Sequence, residues 1–259
     1  MTGRAAPRAL LACDLDGTLI TDDGSPAPGI VEALAELDAR GARLVVCTGR
    51  PLHGAEKAVV ALRAAPIAFV CYHGALVVDA STGEWLRHLT IPELTVSGIV
   101  RQAHLLGLSV TLYLGDDRRE LAPTDVFVAL DFTAPAGITR VVLGGGEARA
   151  NSVLPAVAAS WGHGVRVEHA GGGTVAILPV SADKGDGLRL IAARFGVPLE
   201  RVVACGDSAA DESLLRISGV SIAVGDPPDA ALAGADEHVA QEGLARLLIR
   251  CLEPFTRLR

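Results

Sequence analysis

The chain is expected to adopt an α/β fold, a doubly wound parallel sheet that carries an inserted α+β unit. Three features point to this. Short apolar runs ending in turns alternate with amphipathic segments between residues 9 and 75, the rhythm of strand–helix–strand crossovers in a parallel sheet. That rhythm stops after about residue 80, where hairpin-like strand patterns and glycine triplets take over. It resumes at Asp183-Lys184-Gly185, so a single sheet is expected from both ends of the chain. The expected division is residues 1–81 with 181–259 for the sheet and 82–180 for the insertion.

Residues 9–13 read as the first strand, an apolar run that gives way to Asp14-Leu15-Asp16-Gly17-Thr18. Ser25-Pro26-Ala27-Pro28 leads into a helix with Ile30, Leu34 and Leu37 on one face and Gly41 as its stop. Residues 42–47 read as a second strand that ends in Thr48-Gly49-Arg50-Pro51, and a helix follows to about residue 65. A third strand, 67–72, closes in His73-Gly74-Ala75. Residues 76–79 and 85–89 flank Ser81-Thr82-Gly83 as an antiparallel hairpin, which places a domain boundary nearby.

Within the insertion the pattern reads helix (93–106), strand (109–114), an acidic loop at Asp116-Asp117 and a short helix near 124–129. Strand (138–143), helix (147–160) and strands 165–169 and 174–178 follow. About a hundred residues suffice for a small domain. The runs Gly144 to Gly146 and Gly171 to Gly173 lack the Lys-Ser/Thr of a P-loop and the Gly-x-Gly-x-x-Gly spacing of a dinucleotide site, so they read as turns. Beyond the insertion come a helix (186–195), a strand (201–205) ending in Gly206-Asp207-Ser208, a helix (211–218) and a strand (220–224). A Pro-rich loop with a short helix over 225–236 and a closing helix over 244–251 complete the chain.

Composition narrows the partners. The 259 residues are half hydrophobic, enough for a sizeable core, and 23 Lys+Arg against 30 Asp+Glu give a net charge of −7. With no basic block and only 3% aromatic residues, the chain has neither a track for a phosphate backbone nor a base-stacking platform. Nucleic acid is therefore not an expected partner. No uncharged stretch reaches the ~18 to 20 residues of a membrane span, and the apolar run after Arg4 and Arg8 is broken by Asp14 too soon for a signal-peptide core. A cytoplasmic protein is expected. Five cysteines (13, 47, 71, 205, 251), an odd number without CxxC spacing, read as reduced thiols that pack as small hydrophobes.

Asp14, Thr48, Lys184 and Asp207 all fall at expected strand exits or helix entrances of the interrupted sheet, and those ends converge on one crevice in an open parallel sheet. Asp14 and Asp207 offer the hard oxygen ligands that Mg²⁺ prefers. Lys184 offers a cation for phosphoryl oxygens, and Thr48 a hydroxyl donor. A carboxylate can also attack phosphorus and split one difficult displacement into two. Taken singly, each residue has an ordinary explanation: Lys184 as a solvated lysine, Thr48-Gly49 as a helix cap, Asp207 and Asp211 as acidic residues at a helix N-terminus. Arg50 reads as a salt bridge within the fold or a substrate contact, and His53 and His73 as structural neighbours of the crevice. His163 and His169 lie in the insertion, and Asp22-Asp23 read as a solvated turn. The four motifs in this order favour function.

Asp14-Leu15-Asp16-Gly17-Thr18, Thr48-Gly49-Arg50, Lys184 and Gly206-Asp207-Ser208-Ala209-Ala210-Asp211 resemble motifs I to IV of the haloacid dehalogenase (HAD) superfamily, in their usual order. The insertion resembles the α/β cap of its Cof-type sugar-phosphatase branch, and the likeness covers nearly the whole chain. It implies a HAD-like Rossmannoid core with a cap that sets substrate specificity. It further implies that Asp14 is the nucleophile and a Mg²⁺ ligand, and that Asp16 is the general acid/base and lends its backbone carbonyl to the metal. Thr48 and Gly49 would hold the phosphoryl group, Lys184 would neutralise the phosphorylated intermediate, Asp207 would ligate Mg²⁺ and Asp211 would support it. Two positions depart from the family pattern: Ala210 stands where Asn is usual, and His73-Gly74-Ala75 where Asn-Gly-Ala is common.

The expected function is a Mg²⁺-dependent phosphomonoesterase, a hydrolase acting on a small phosphorylated metabolite such as a sugar or polyol phosphate through an aspartyl phosphate. The alternatives are a phosphotransferase or mutase of the phosphomannomutase type and a non-catalytic regulator that binds a phosphorylated metabolite. A kinase is disfavoured by the absence of a nucleotide-phosphate loop.

Overall fold

In the computed structural model, which describes residues 6–121, 137–145, 159–160, 164–170, 173–226 and 228–256, the apolar runs form two sheets. In chain order the first strands are β1 (Ala9–Cys13), β2 (Ala42–Cys47), β3 (Ala68–Cys71), β4 (Leu76–Asp79) and β5 (Glu84–His88). Then follow β6 (Ser109–Leu114), β7 (Asp117–Leu121), β8 (Arg140–Gly144), β9 (Val165–His169) and β10 (Thr174–Pro179). The last are β11 (Val202–Gly206), β12 (Val220–Val224) and β13 (Glu237–Val239). The helices are α1 (Ile30–Ala39), α2 (Leu52–Ala61), α3 (Glu93–Leu105), α4 (Lys184–Phe195), α5 (Glu212–Ile217) and α6 (Leu244–Thr256).

The eight-stranded sheet runs β13-β12-β11-β1-β2-β3-β4-β5, and the five-stranded sheet runs β7-β6-β8-β10-β9. From β13 to β3 every pairing is parallel, and β4 then turns back antiparallel on β3. The five-stranded sheet is antiparallel throughout. This difference follows from the sequences. Ala-Leu-Leu-Ala-Cys in β1 is buried at all five positions, as a parallel strand covered on both faces requires. Ser-Val-Thr-Leu-Tyr-Leu in β6 alternates between buried and partly open positions, as one face of an antiparallel sheet does.

The chain divides into two compact units, residues 1–87 with 183–259, and residues 88–182. Leu10, Val45, Val70, Leu188, Ile191 and Leu214 belong to the core of the first. Ile99, Leu112, Val141, Val175 and Ile177 belong to that of the second. Strand β5 pairs into the eight-stranded sheet, so that sheet continues past residue 81.

Two strands were not expected. The acidic loop expected at Asp116-Asp117 is a tight turn at Gly115 into a strand, Asp117–Leu121, that pairs antiparallel with β6. Its residues, Asp-Arg-Arg-Glu-Leu, lie on a sheet edge with four of five exposed, so they carry no apolar signal. The three-residue strand Glu237–Val239 is likewise an edge, paired with β12. Helix α2 stops at Ala61, short of residue 65, with Arg63 in a left-handed conformation at φ 50°. The helices expected near 124–129 and over most of 147–160 lie outside the described residues.

From β1 the chain proceeds to β2 and β3 on one side, whereas β11 leads to β12 and β13 on the other. The order therefore reverses between β1 and β11, where an open parallel sheet has its ligand crevice beyond the carboxyl ends.

Candidate active site

At that reversal Cys13 stands opposite Cys205 as the last paired residues of β1 and β11. The Asp14 N–H donates to Cys205 O at 3.0 Å, so Asp14 is the first side chain past the strand end. Asp207 follows Gly206, the last residue of β11. Helix α4 brings Lys184 to the same place. Lys184 Nζ donates to Asp14 Oδ1 at 2.7 Å and to Asp211 Oδ1 at 2.6 Å. The lysine is 2% exposed and Asp211 0%. A cation in the first turn of a helix opposes the macrodipole, and Asp183, whose side chain accepts from Asp186 N at 2.8 Å, already serves as the N-cap. Lys184 therefore gains from its two carboxylates and not from its helix.

Asp211 is held from behind. Its Oδ2 accepts from Ser208 N at 3.3 Å and Ser208 Oγ at 3.2 Å, a capping box around the turn that contains Ala210. Asp207 accepts from Thr18 Oγ1 at 3.1 Å. One carboxylate oxygen from each of Asp14, Asp207 and Asp211 lies within 4.8 Å of the others. Three carboxylates against one ammonium leave two negative charges unbalanced. An all-oxygen, doubly negative donor set fits a hard divalent cation such as Mg²⁺.

The same imbalance shapes the proton affinities. Burial, first, and then the neighbouring Asp211 and Asp207 push the Asp14 carboxyl up to about 7, against the opposing pull of Lys184. Asp207 is also raised, by burial and by Asp211, while its bond from Thr18 works the other way. For Lys184, burial would depress the ammonium, but the charges of Asp14 and Asp211 outweigh it and hold the group protonated.

The loop that carries Asp16 is fastened by its own backbone. Gly17 N–H donates to Ile20 O at 2.9 Å, and Ile20 N–H to Leu15 O at 2.8 Å. Gly17 sits at φ 78°, where a Cβ would also collide with the Asp207 carboxylate. Gln241 Nε2, from the far end of the chain, donates to Thr18 O at 3.0 Å and to Ile20 O at 3.1 Å. Asp16 itself remains open to solvent, its carboxylate gripped by Arg50 through Nε–Oδ2 at 2.8 Å and a second, shorter Nη2–Oδ1 contact. The hydrogen bond to Asp16 raises the Arg50 guanidinium above its ordinary value.

Thr48 leaves β2 beside β1. It is buried, its N–H donates to Val70 O at 2.8 Å, and its Oγ1 accepts from Arg50 N at 3.1 Å. A Cβ at Gly49 would strike the His73 imidazole, so a larger residue there would push that ring aside. His73 holds a left-handed conformation at φ 53°, and its N–H donates to Thr48 O at 3.0 Å.

The structure thus gathers Asp14, Lys184, Asp207 and Asp211 into one cluster, with Asp16 in the adjoining loop and Thr48 and Gly49 at the next strand exit. Gln241 carries no motif, and its polar side chain after a short edge strand gave no sign of this contact. His53 lies in α2 and His169 at the exposed end of β9, and His163 lies outside the described residues. Cys13 and Cys205 face each other as free, buried thiols across β1 and β11, and burial pushes the Cys13 and Cys47 thiols up, so both stay protonated. Among the described residues no helix is long and apolar enough to cross a membrane.

A sequence profile of haloacid dehalogenase-like hydrolases matches residues 11–121 and 133–246. The chain is 27% identical to 5-amino-6-(5-phospho-D-ribitylamino)uracil phosphatase of Bacillus subtilis, over 92% of this chain and 96% of that protein. Among solved structures it resembles a haloacid dehalogenase-like hydrolase from Bacteroides thetaiotaomicron, with a TM-score of 0.83 at 21% identity, covering 94% of this chain and 99% of the other. It also resembles a sugar phosphatase of HAD subclass IIB, with a TM-score of 0.71 at 18% identity, covering 94% and 98%.

Proposed function

Because the chain belongs to the haloacid dehalogenase-like hydrolases, we propose that it is a Mg²⁺-dependent phosphomonoesterase working through an aspartyl phosphate on Asp14. The observation that carries this reading is the Lys184 ammonium held between Asp14 and Asp211 at the exits of β1 and β11. It gives a carboxylate nucleophile and a fixed cation for the phosphoryl oxygens within one crevice.

In the first half-reaction an Asp14 carboxylate oxygen bonds to phosphorus as the bond from phosphorus to the leaving oxygen breaks. Asp16 gives that oxygen its proton. In the second, water attacks phosphorus and passes a proton back to Asp16, the phosphorus–Asp14 bond breaks, and phosphate departs. Thr48 and Gly49 hold the phosphoryl oxygens, and Lys184 offsets their charge. Asp14, Asp207 and the Asp16 carbonyl would hold Mg²⁺, with Asp211 in support. When bound, the ion supplies the charge neutralisation that lets an anionic ester approach an anionic nucleophile.

The substrate is a small cytoplasmic metabolite, a sugar or polyol phosphate. The Bacillus subtilis relative is named for a phosphoribityl compound, which is a phosphorylated polyol chain, and this supports that class. We assign the choice of leaving group to the inserted unit, residues 88–182.

A panel of sugar phosphates, polyol phosphates, nucleotides and phosphoglycolate, assayed for phosphate release with and without Mg²⁺, tests the proposal. Metal-dependent release led by sugar or polyol phosphates is the expected result. No release from any ester overturns it. Transfer only in the presence of an acceptor alcohol would point to a phosphotransferase. Capture of beryllofluoride at Asp14 without turnover would point to a binding protein.

A further inference from the structure

Arg50 is pinned at its backbone on both sides. Its N–H donates to Thr48 Oγ1 at 3.1 Å, and its carbonyl accepts from Tyr72 N at 3.1 Å. Its side chain then crosses 34 positions of sequence to place Nε and Nη2 on the two oxygens of Asp16. Among the described residues, Asp16 has no other side-chain hydrogen bond. Its side chain is 58% exposed, and that of Arg50 is 32% exposed.

Stability does not account for this arrangement, since exposed ion pairs contribute little. Geometry does. A lone exposed aspartate samples several rotamers, whereas a planar fork on both carboxylate oxygens fixes the direction in which they point. Proton transfer is sensitive to that direction, because the acid must lie within hydrogen-bond reach of the leaving oxygen.

We propose that Arg50 is a positioning residue for Asp16, its two-pronged grip setting the carboxyl toward the leaving group. Arg50 does not itself touch the reacting atoms. Its role rests on the phosphatase reading above. It follows that Arg50 matters most where the leaving oxygen must be protonated, as with an alkoxide from a sugar or polyol, and little for a nitrophenolate, which departs without a proton.

The test compares kcat/KM on p-nitrophenyl phosphate with kcat/KM on the alkyl phosphate that the panel shows is turned over best. This parameter covers steps through departure of the leaving group, so later hydrolysis of the phosphoenzyme does not enter. For Arg50→Met the expected loss is about 10- to 100-fold on the alkyl ester and less than about 3-fold on the aryl ester. Arg50→Lys keeps the charge without the fork and is expected to show the same split. Equal losses on both esters, no loss, faster turnover, or full rescue by Arg50→Lys would each overturn the proposal while leaving the phosphatase reading intact. If the wild-type protein cleaves neither ester, the phosphatase reading falls and the role of Arg50 falls with it.

Discussion

Lys184 Nζ lies 2.7 Å from Asp14 Oδ1, although 170 positions separate the two residues in the chain. The inserted unit occupies most of that interval, yet the lysine is 2% exposed and shared with Asp211. Replacing Lys184 by Met leaves two carboxylates facing each other away from water. Breaking a buried pair in this way costs about 3–5 kcal/mol, and phosphate release should vanish. Denaturant unfolding and the phosphate assay check the two effects separately.

Gly17→Ala should damage the same cluster without removing a charged group. The position requires φ 78°, and the added methyl would press on the Asp207 carboxylate. Strain of this kind costs about 1–3 kcal/mol. Displacement of Asp207 should also weaken Mg²⁺ binding, which a calorimetric titration of wild type and variant would detect.

The pH dependence of stability should carry a signature from Asp79, well away from the cluster. Burial alone would raise this carboxyl, but hydrogen bonds from Ser81 N at 2.9 Å, Ser81 Oγ at 2.6 Å and Arg194 Nε at 3.2 Å hold it below its ordinary 3.8. A folded value below the unfolded one means the contribution is fully present above about pH 4. It is lost as the pH falls through the folded value. Asp79→Asn should therefore cost about 1–3 kcal/mol at neutral pH, and the gap to wild type should narrow below pH 4. Unfolding midpoints at pH 7, 5 and 3 give the comparison.

Gln241 is expected to matter as a donor. Its amide holds the carbonyls of Thr18 and Ile20 at 3.0 and 3.1 Å. Gln241→Ala should cost about 1–2 kcal/mol, and Gln241→Glu, which keeps the size but sets a carboxylate against two carbonyls, should cost at least as much. Thermal melts of the two variants side by side decide between a lost donor and lost volume.

What was legible in the sequence depended on how local its signal was. Strands β1, β2, β4, β6 and β12 occur where largely apolar runs are bounded by turn residues, because burial of such runs dominates their placement. Strands β7 and β13 are short edges with no apolar run to mark them, because pairing along the backbone decides the structure there and most side chains stay polar. Asp14, Lys184, Asp207 and Asp211 were visible through motifs, and the sheet topology brings them together. Arg50 was legible as a salt bridge within the fold or a substrate contact, without its partner, and Gln241 not at all. Each meets its partner through the fold, across 34 and 223 positions respectively. No periodicity or spacing records such meetings.

In the proposed reaction an Asp14 carboxylate oxygen forms the bond to phosphorus. Wild-type protein mixed with Mg²⁺ and its best ester, quenched in acid within one turnover and digested, should yield the peptide containing Asp14 with the mass of one added phosphoryl group. Asp14→Asn should yield none. A phosphoryl group found on another residue, or full phosphate release by Asp14→Asn, would contradict the account.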